Sequence, residues 1–145
     1  YLEAKMKLVK RSITLVLVFI MLGILSVPAF ARASDEIRTC KAVLRLKADG
    51  DLNIFCSITT NNVMETIGLS SITIQRYSGS RWISEYTFTI WNTAGMQSND
   101  ARTFSKTLTY TPQYLNSTYR AVVNFNATGS LGSYSADYTT EQVTT

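Results

Sequence analysis

The chain has 145 residues, 46% hydrophobic and 17% charged, with a formal net charge of +4, two cysteines and no histidine. The lack of histidine removes the Ser-His and Cys-His catalytic pairs and every histidine-metal site, and the length leaves room for one domain of ordinary size. The excess charge lies at the front: residues 1–31 carry Lys5, Lys7, Lys10 and Arg11 against Glu3, and the remainder holds ten basic and nine acidic residues. A pI of 9.2 therefore argues for neither a nucleic-acid nor an anionic-membrane partner once that segment is removed.

The front itself reads as a secretory signal peptide. A basic head from Met6 to Arg11 precedes an apolar block from Ile13 to Leu25, and Ala29-Phe30-Ala31 supplies the small-residue cleavage site. The apolar block is thirteen residues long, whereas a membrane span needs about 17 to 25, and Ser26 and Pro28 break it at once. Tyr1 to Lys5 precede the initiator Met6 and read as upstream sequence. The expectation is cleavage after Ala31 or Ala33, which divides the chain into residues 1–31, removed, and a single secreted, extracellular domain at 32–145. No second anchoring signal accompanies it, so the mature product has no expected membrane contact.

After residue 38 the pattern is period-two, rich in Thr, Ser, Tyr, Val and Ile. A first strand, 39–47, sends Cys40, Ala42, Leu44 and Leu46 to one face. Ala48-Asp49-Gly50 forms a three-residue hairpin loop, with Gly50 in the left-handed conformation. The second strand, 51–59, points Leu52, Ile54, Cys56 and Ile58 inward. A third, 69–77, turns at 78–80 into a fourth, 82–90, with Trp82, Tyr86, Phe88 and Ile90 on one face. A polar loop from Asn92 to Asp100 follows. The fifth strand, 101–110, places Lys106 on the same face as Phe104 and Leu108, a sign of a bulge or an edge, and Pro112 ends it. The sixth, 118–127, alternates Tyr119, Ala121, Val123, Phe125 and Ala127, and the seventh, 133–140, carries Tyr134, Ala136 and Tyr138. Arg45, Lys47 and Arg76 fall at outward, solvated positions. Seven short strands with regular turn signals predict an all-β chain, an immunoglobulin-like antiparallel β-sandwich.

Cys40 and Cys56 form an even count in an oxidising compartment, which points to a disulfide, with buried free thiols as the competing reading. The hairpin register opposes Cys40 to Ile58 and Cys56 to Ala42. The sulfurs then become diagonal neighbours at an alpha-carbon separation of about 7 Å, near the upper limit for a bridge. Two sulfurs without histidine do not complete a zinc site, so no metal and no cofactor are expected. Glu65, Glu85, Asp100 and Asp137 are the carboxylates available for catalysis, and they lie singly, as solvated surface charge does. Asp49-Gly50-Asp51 is turn chemistry rather than a calcium loop. Tyr77, Trp91 and Tyr114 are the rings expected to be exposed, and Asn116 and Asn126 open glycosylation sequons read as strand-edge polar residues.

Cys40-x-x-x-Leu44-x-Leu46, Gly50 and Cys56, then Ile72-Thr73-Ile74-Gln75-Arg76 with Gly79 and Trp82, then Tyr119-Arg120-Ala121 with Phe125, resemble the small, secreted, uncharacterised β-sandwich proteins of Gram-positive bacteria. The resemblance covers 40–127 and implies a fold and an extracellular address, not an activity. It also likens Tyr119 to the tyrosine corner of immunoglobulin-like folds, whose hydroxyl ties back to the chain before it. Ala121 stands where antibody domains carry their second cysteine, so a Cys40–Cys56 bridge would differ from theirs. Two functions fit: a non-catalytic interaction module with a protein partner, or a small carbohydrate-binding domain acting on cell-wall or host glycans.

Overall fold

The structure is a computed structural model that describes residues 36–145. The expected signal peptide lies outside the described residues. The described chain is all-β, with β1 (Ile37–Leu46), β2 (Leu52–Ser78), β3 (Arg81–Thr89), β4 (Gln97–Tyr110), β5 (Thr118–Gly129), β6 (Gly132–Thr139) and β7 (Val143–Thr144). All pairings are antiparallel and join the seven strands into one hydrogen-bonded network.

The first hairpin follows from its loop. Lys47 N donates to Asp51 O at 2.8 Å, Gly50 N returns to Lys47 O at 3.1 Å, and Gly50 sits at φ +89°. That closure sets Leu46 opposite Leu52 and, by twos, Ala42 opposite Cys56, the register the sequence predicts.

β2 is 27 residues long and organises the rest. Its first half pairs with β1 and β4, and its second half pairs with β5 and β3. The strand does not run straight. Tyr110 pairs with Leu52 and Tyr86 with Ile74, positions that a straight strand would hold about 70 Å apart. Their rings nevertheless lie 6.2 Å apart, so β2 folds back and its two halves face one another across the core. β1 also lies beside β5, β6 and β7 without pairing to them.

The fold-back is built from irregularities. The β2–β4 ladder shifts register between Thr59 and Met64, and the β2–β5 ladder between Leu69 and Ser71. Thr60 is buried at the first shift, where its hydroxyl donates to the carbonyl of Asn62 at 2.7 Å. Gly68 marks the closest approach to β4: a Cβ there would lie 2.7 Å from Gln97 Cα and collide with the Met96 carbonyl, which accepts from Leu69 N at 2.8 Å. Two chain segments meet where only glycine leaves room.

The core is one cluster in which Leu52, Ile54 and Ile58 from the first half of β2 meet Ile67, Leu69, Ile72 and Ile74 from the second, and Val123 and Phe125 from β5. Burying an aliphatic side chain of this kind contributes about 1.5–3 kcal/mol. Every inward residue of β5 is fully buried, as its unbroken alternation requires.

Two boundaries and one face differ from the sequence reading. The expected second and third strands are one strand, Leu52–Ser78, because pairing with β4 resumes at Met64 after the register shift and runs on to Gly68. β4 begins at Gln97, so Gln97 to Asp100 leave the expected loop and Asp100 takes φ +51° inside the strand. Trp82 does not share a face with Tyr86 and Phe88: a bulge opposite Ile74 and Gln75 leaves Glu85 unpaired and reverses the alternation. Lys106 does mark an edge, since among the described residues β4 pairs with β2 alone, and its ammonium donates to the Ala94 carbonyl at 3.1 Å.

Gly68→Ala is predicted to destabilise the fold by about 3 kcal/mol or more, since backbone rather than a side-chain tip must move. Gly50→Ala, where nothing lies within 4 Å of the added carbon, should cost only about 1 kcal/mol from its positive φ. Urea unfolding of both variants measures the difference; equal costs would contradict the close approach at Gly68.

Candidate interaction site

The three rings expected to be exposed are exposed: Tyr77 at 48%, Trp91 at 90% and Tyr114 at 48% of their full accessible areas. They do not form one platform. Tyr77 pairs with Trp82 near the start of β3, whereas Trp91 follows the other end of that nine-residue strand, about 30 Å along.

Around Tyr77 the sequence folds so that neighbouring residues serve opposite faces. Gly79 and Ser80 both adopt positive φ, 57° and 67°, forming a two-residue turn that pairs Ser78 with Arg81 and Tyr77 with Trp82. Tyr77 and Trp82 therefore share the outer face, ring centroids 5.2 Å apart and tilted by 57°. Gln75, on that same face of β2, is opposite Arg120 of β5 and accepts from its Nε at 2.8 Å. The Arg120 guanidinium crosses β2 to lie 4.2 Å above the Trp82 ring. Edge tryptophan, neighbouring tyrosine and stacked guanidinium form one continuous patch.

Arg76 faces the other way, which corrects its expected outward position. It follows Ile72 and Ile74 in phase, and its Nε donates to Glu85 Oε1 at 2.6 Å, with side chains only 15% and 11% exposed. Glu85 is the bulged residue of β3, freed from pairing and turned toward Arg76. The guanidinium also lies 4.0 Å from the centre of the Tyr114 ring. Below it, Tyr86 meets Phe88 edge-on at 4.8 Å, and Tyr110 lies 6.4 Å from Tyr119. The buried Tyr119 hydroxyl donates to the Tyr114 carbonyl at 3.1 Å and fixes the segment that carries the ring. Burial is the main cause that pushes the Tyr110 and Tyr119 phenols above their ordinary value. Arg45 and Lys47 are exposed as expected, and Lys47 pairs with Asp49 at 2.6 Å across the hairpin loop.

Trp82, Arg120, Arg76 and Glu85 are the residues whose contacts sequence reasoning missed. Reading Gly79-Ser80 as a two-residue turn would have paired Tyr77 with Trp82 and exposed the first of them.

The expected disulfide is absent: Cys40 and Cys56 are free thiols. The anticipated register explains it, because Cys40 faces Ile58 and Cys56 faces Ala42, and no bulge between these pairs converts the diagonal into a direct opposition. Desolvation pushes the thiols up to about 11 for Cys40 and about 12 for Cys56. Glu65 and Asp100 are exposed on separate strands, Glu85 is held by Arg76, and Asp137 accepts from Asn124 at 2.6 Å. Among the described residues no three acidic or cysteine side chains group as metal ligands. Of the sequon asparagines, Asn116 is exposed at φ +53° and Asn126 accepts from Gln97 at 3.2 Å. No protein-family model, curated protein or solved structure matches the chain.

Two predictions follow from these environments. Arg76→Ala and Glu85→Gln should each lower the thermal midpoint, and the double variant should lower it little beyond the larger single effect; additive losses would mean that the two groups act separately. In folded protein at pH 8 both thiols should react slowly with a disulfide reagent, and unfolding should release two titratable thiols. The unfolded thiols ionise near 9.0, before the folded ones, so stability should hold up to about pH 9 and fall as pH rises through 11 to 12. Rapid native labelling at pH 8 would contradict the assigned environments.

Proposed function

We propose that this chain is a secreted, non-catalytic interaction module on an immunoglobulin-like β-sandwich of about seven strands, and that it meets a protein partner through its Tyr77–Trp82–Arg120 patch. The fold-back of β2 supports the two-layer reading, and the Tyr119 hydroxyl bound to the carbonyl of Tyr114 supports the tyrosine-corner resemblance. Secretion rests on the signal-like sequence from Met6 to Ala31, and the secreted species should begin at Arg32 or Ser34.

The observation that carries the function is the composition and place of the patch. Tyr, Trp and Arg dominate protein-recognition hot spots, and here Trp82 touches both Tyr77 and Arg120 on a strand that, among the described residues, pairs on one side only and has its outer backbone groups near Trp82 open. Sugar binding favours rings presented as a flat surface, and the 57° tilt between Tyr77 and Trp82 argues against that use. Proteins of the surrounding medium and cell surface, captured on the immobilised chain and identified by mass spectrometry, should include a partner whose affinity falls about 30-fold or more on Trp82→Ala. Undiminished capture by that variant would overturn the reading, and Trp82-dependent signals on a glycan array alone would favour the carbohydrate alternative.

A further inference from the structure

We propose that the patch recognises an extended acidic peptide segment of its partner, seated along the open first part of the β3 edge beside Trp82, with one carboxylate on Arg120. The inference rests on the protein-interaction reading above and adds the chemistry of the ligand. Three independent features converge on it.

The first is charge. Among the described residues Arg76 and Lys47 have carboxylate partners, and Arg120 has none. Its Nε is occupied by the neutral Gln75 amide and one guanidinium face by Trp82, which leaves the terminal nitrogens for a ligand. The second is preorganisation. A guanidinium held by a side-chain hydrogen bond and a ring has already lost much of its rotamer freedom, and its planar fork matches a carboxylate. The third is position. Arg120 originates on β5, yet its charge lies over a residue of β3, which among the described residues pairs with β2 alone; Asn92 takes the outward Thr87 carbonyl and Thr89 N–H at the far end, which leaves the open N–H and C=O groups in the first part of the strand, beside Trp82. A peptide strand added there would run next to Trp82, with alternate side chains on the outer face within reach of the guanidinium.

β4 is the contrasting edge. It carries Lys106 at an inward-facing position and ties it to Ala94, the kind of charge that blunts strand addition. β3 carries one inward charge, Glu85, and Arg76 of the neighbouring β2 neutralises it, while Ile83 and Phe88 are apolar and half-buried.

The test uses three fluorescent nine-residue probes of alternating valine and a polar residue, the polar residue being glutamate, glutamine or lysine, with a polyuronate oligosaccharide as a fourth ligand. Fluorescence anisotropy against the folded chain should show the glutamate peptide bound, the glutamine peptide about tenfold weaker or more, and the lysine peptide not bound. Raising the salt from 50 to 500 mM should weaken the glutamate peptide and leave the glutamine peptide nearly unchanged. Arg120→Gln should abolish the preference for glutamate over glutamine, and Gln75→Ala, which keeps the charge and releases its orientation, should reduce it partially. The acid-against-amide comparison on the unaltered chain requires no variant to fold. Equal affinity for the glutamate and glutamine peptides, no peptide binding, or Arg120-dependent binding of the polyuronate alone would overturn the inference. Partner capture that is lost on Trp82→Ala but unaffected by Arg120→Gln would overturn the inference alone; capture unaffected by Trp82→Ala would overturn the interaction reading beneath it.

Discussion

The rest of the structure depends on the fold-back of one strand. β2 supplies pairing edges to four other strands, two along each half, and its two halves supply opposing sides of the same core. That double duty requires the inward face to change phase along the chain. Inward positions are even from Leu52 through Ile58, Thr60 and Met64, odd at Ile67 and Leu69, and even again at Ile72 and Ile74. The first change follows the register shift that ends at Met64, the second coincides with the shift between Leu69 and Ser71, and the close approach at Gly68 lies between the two changes. The phase reached after the second shift puts Arg76 toward Glu85 and leaves Gln75 and Tyr77 on the outside. Bends in the middle of the strand thus decide which chemistry reaches the surface at its end.

Much of this was legible in the residues. Ala48-Asp49-Gly50 specified the first hairpin and its register, the unbroken alternation of Tyr119 to Ala127 specified β5, and Lys106 among apolar neighbours marked an edge. The unity of β2 was not legible, because a phase change in a hydrophobic pattern looks the same as the end of one strand and the start of another. The bulge at Glu85 misled for the same reason: it moved Trp82 to the face opposite Tyr86 with no mark in the local sequence. Compartment and an even count argued for a disulfide, but the diagonal pairing of Cys40 and Cys56 kept the thiols apart. Of the candidate site, the exposure of Tyr77, Trp91 and Tyr114 could be read from their phase, whereas their company could not, since Arg120 and Trp82 meet only through pairings on both sides of β2.

The two guanidiniums at this end of the molecule show how similar groups acquire different roles. Arg76 and Arg120 each lie against an aromatic ring and each engage one side chain through Nε. Arg76 finds a carboxylate shielded from water and its charge is compensated internally. Arg120 finds an amide, which orients it without neutralising it. The difference traces to one unpaired residue, since Glu85 reaches Arg76 only as the bulge of β3.

The sharing of β2 also governs the order in which the chain can fold. Its second half receives β3 from the adjacent hairpin, but Thr66 to Arg76 must wait for Tyr119 to Thr128. Until that distant segment arrives, the Thr66–Arg76 edge is unpaired and Ile67, Leu69, Ile72 and Ile74 lack the Val123 and Phe125 half of their cover, and non-local pairing of this kind is slow. Synthesised from its N-terminus, the chain carries its longest apolar strand unsatisfied until nearly all of it has been made. A partly completed molecule is then an exposed β-edge in search of a fifth strand, and any factor that handles it must shield that edge until residue 129 has emerged.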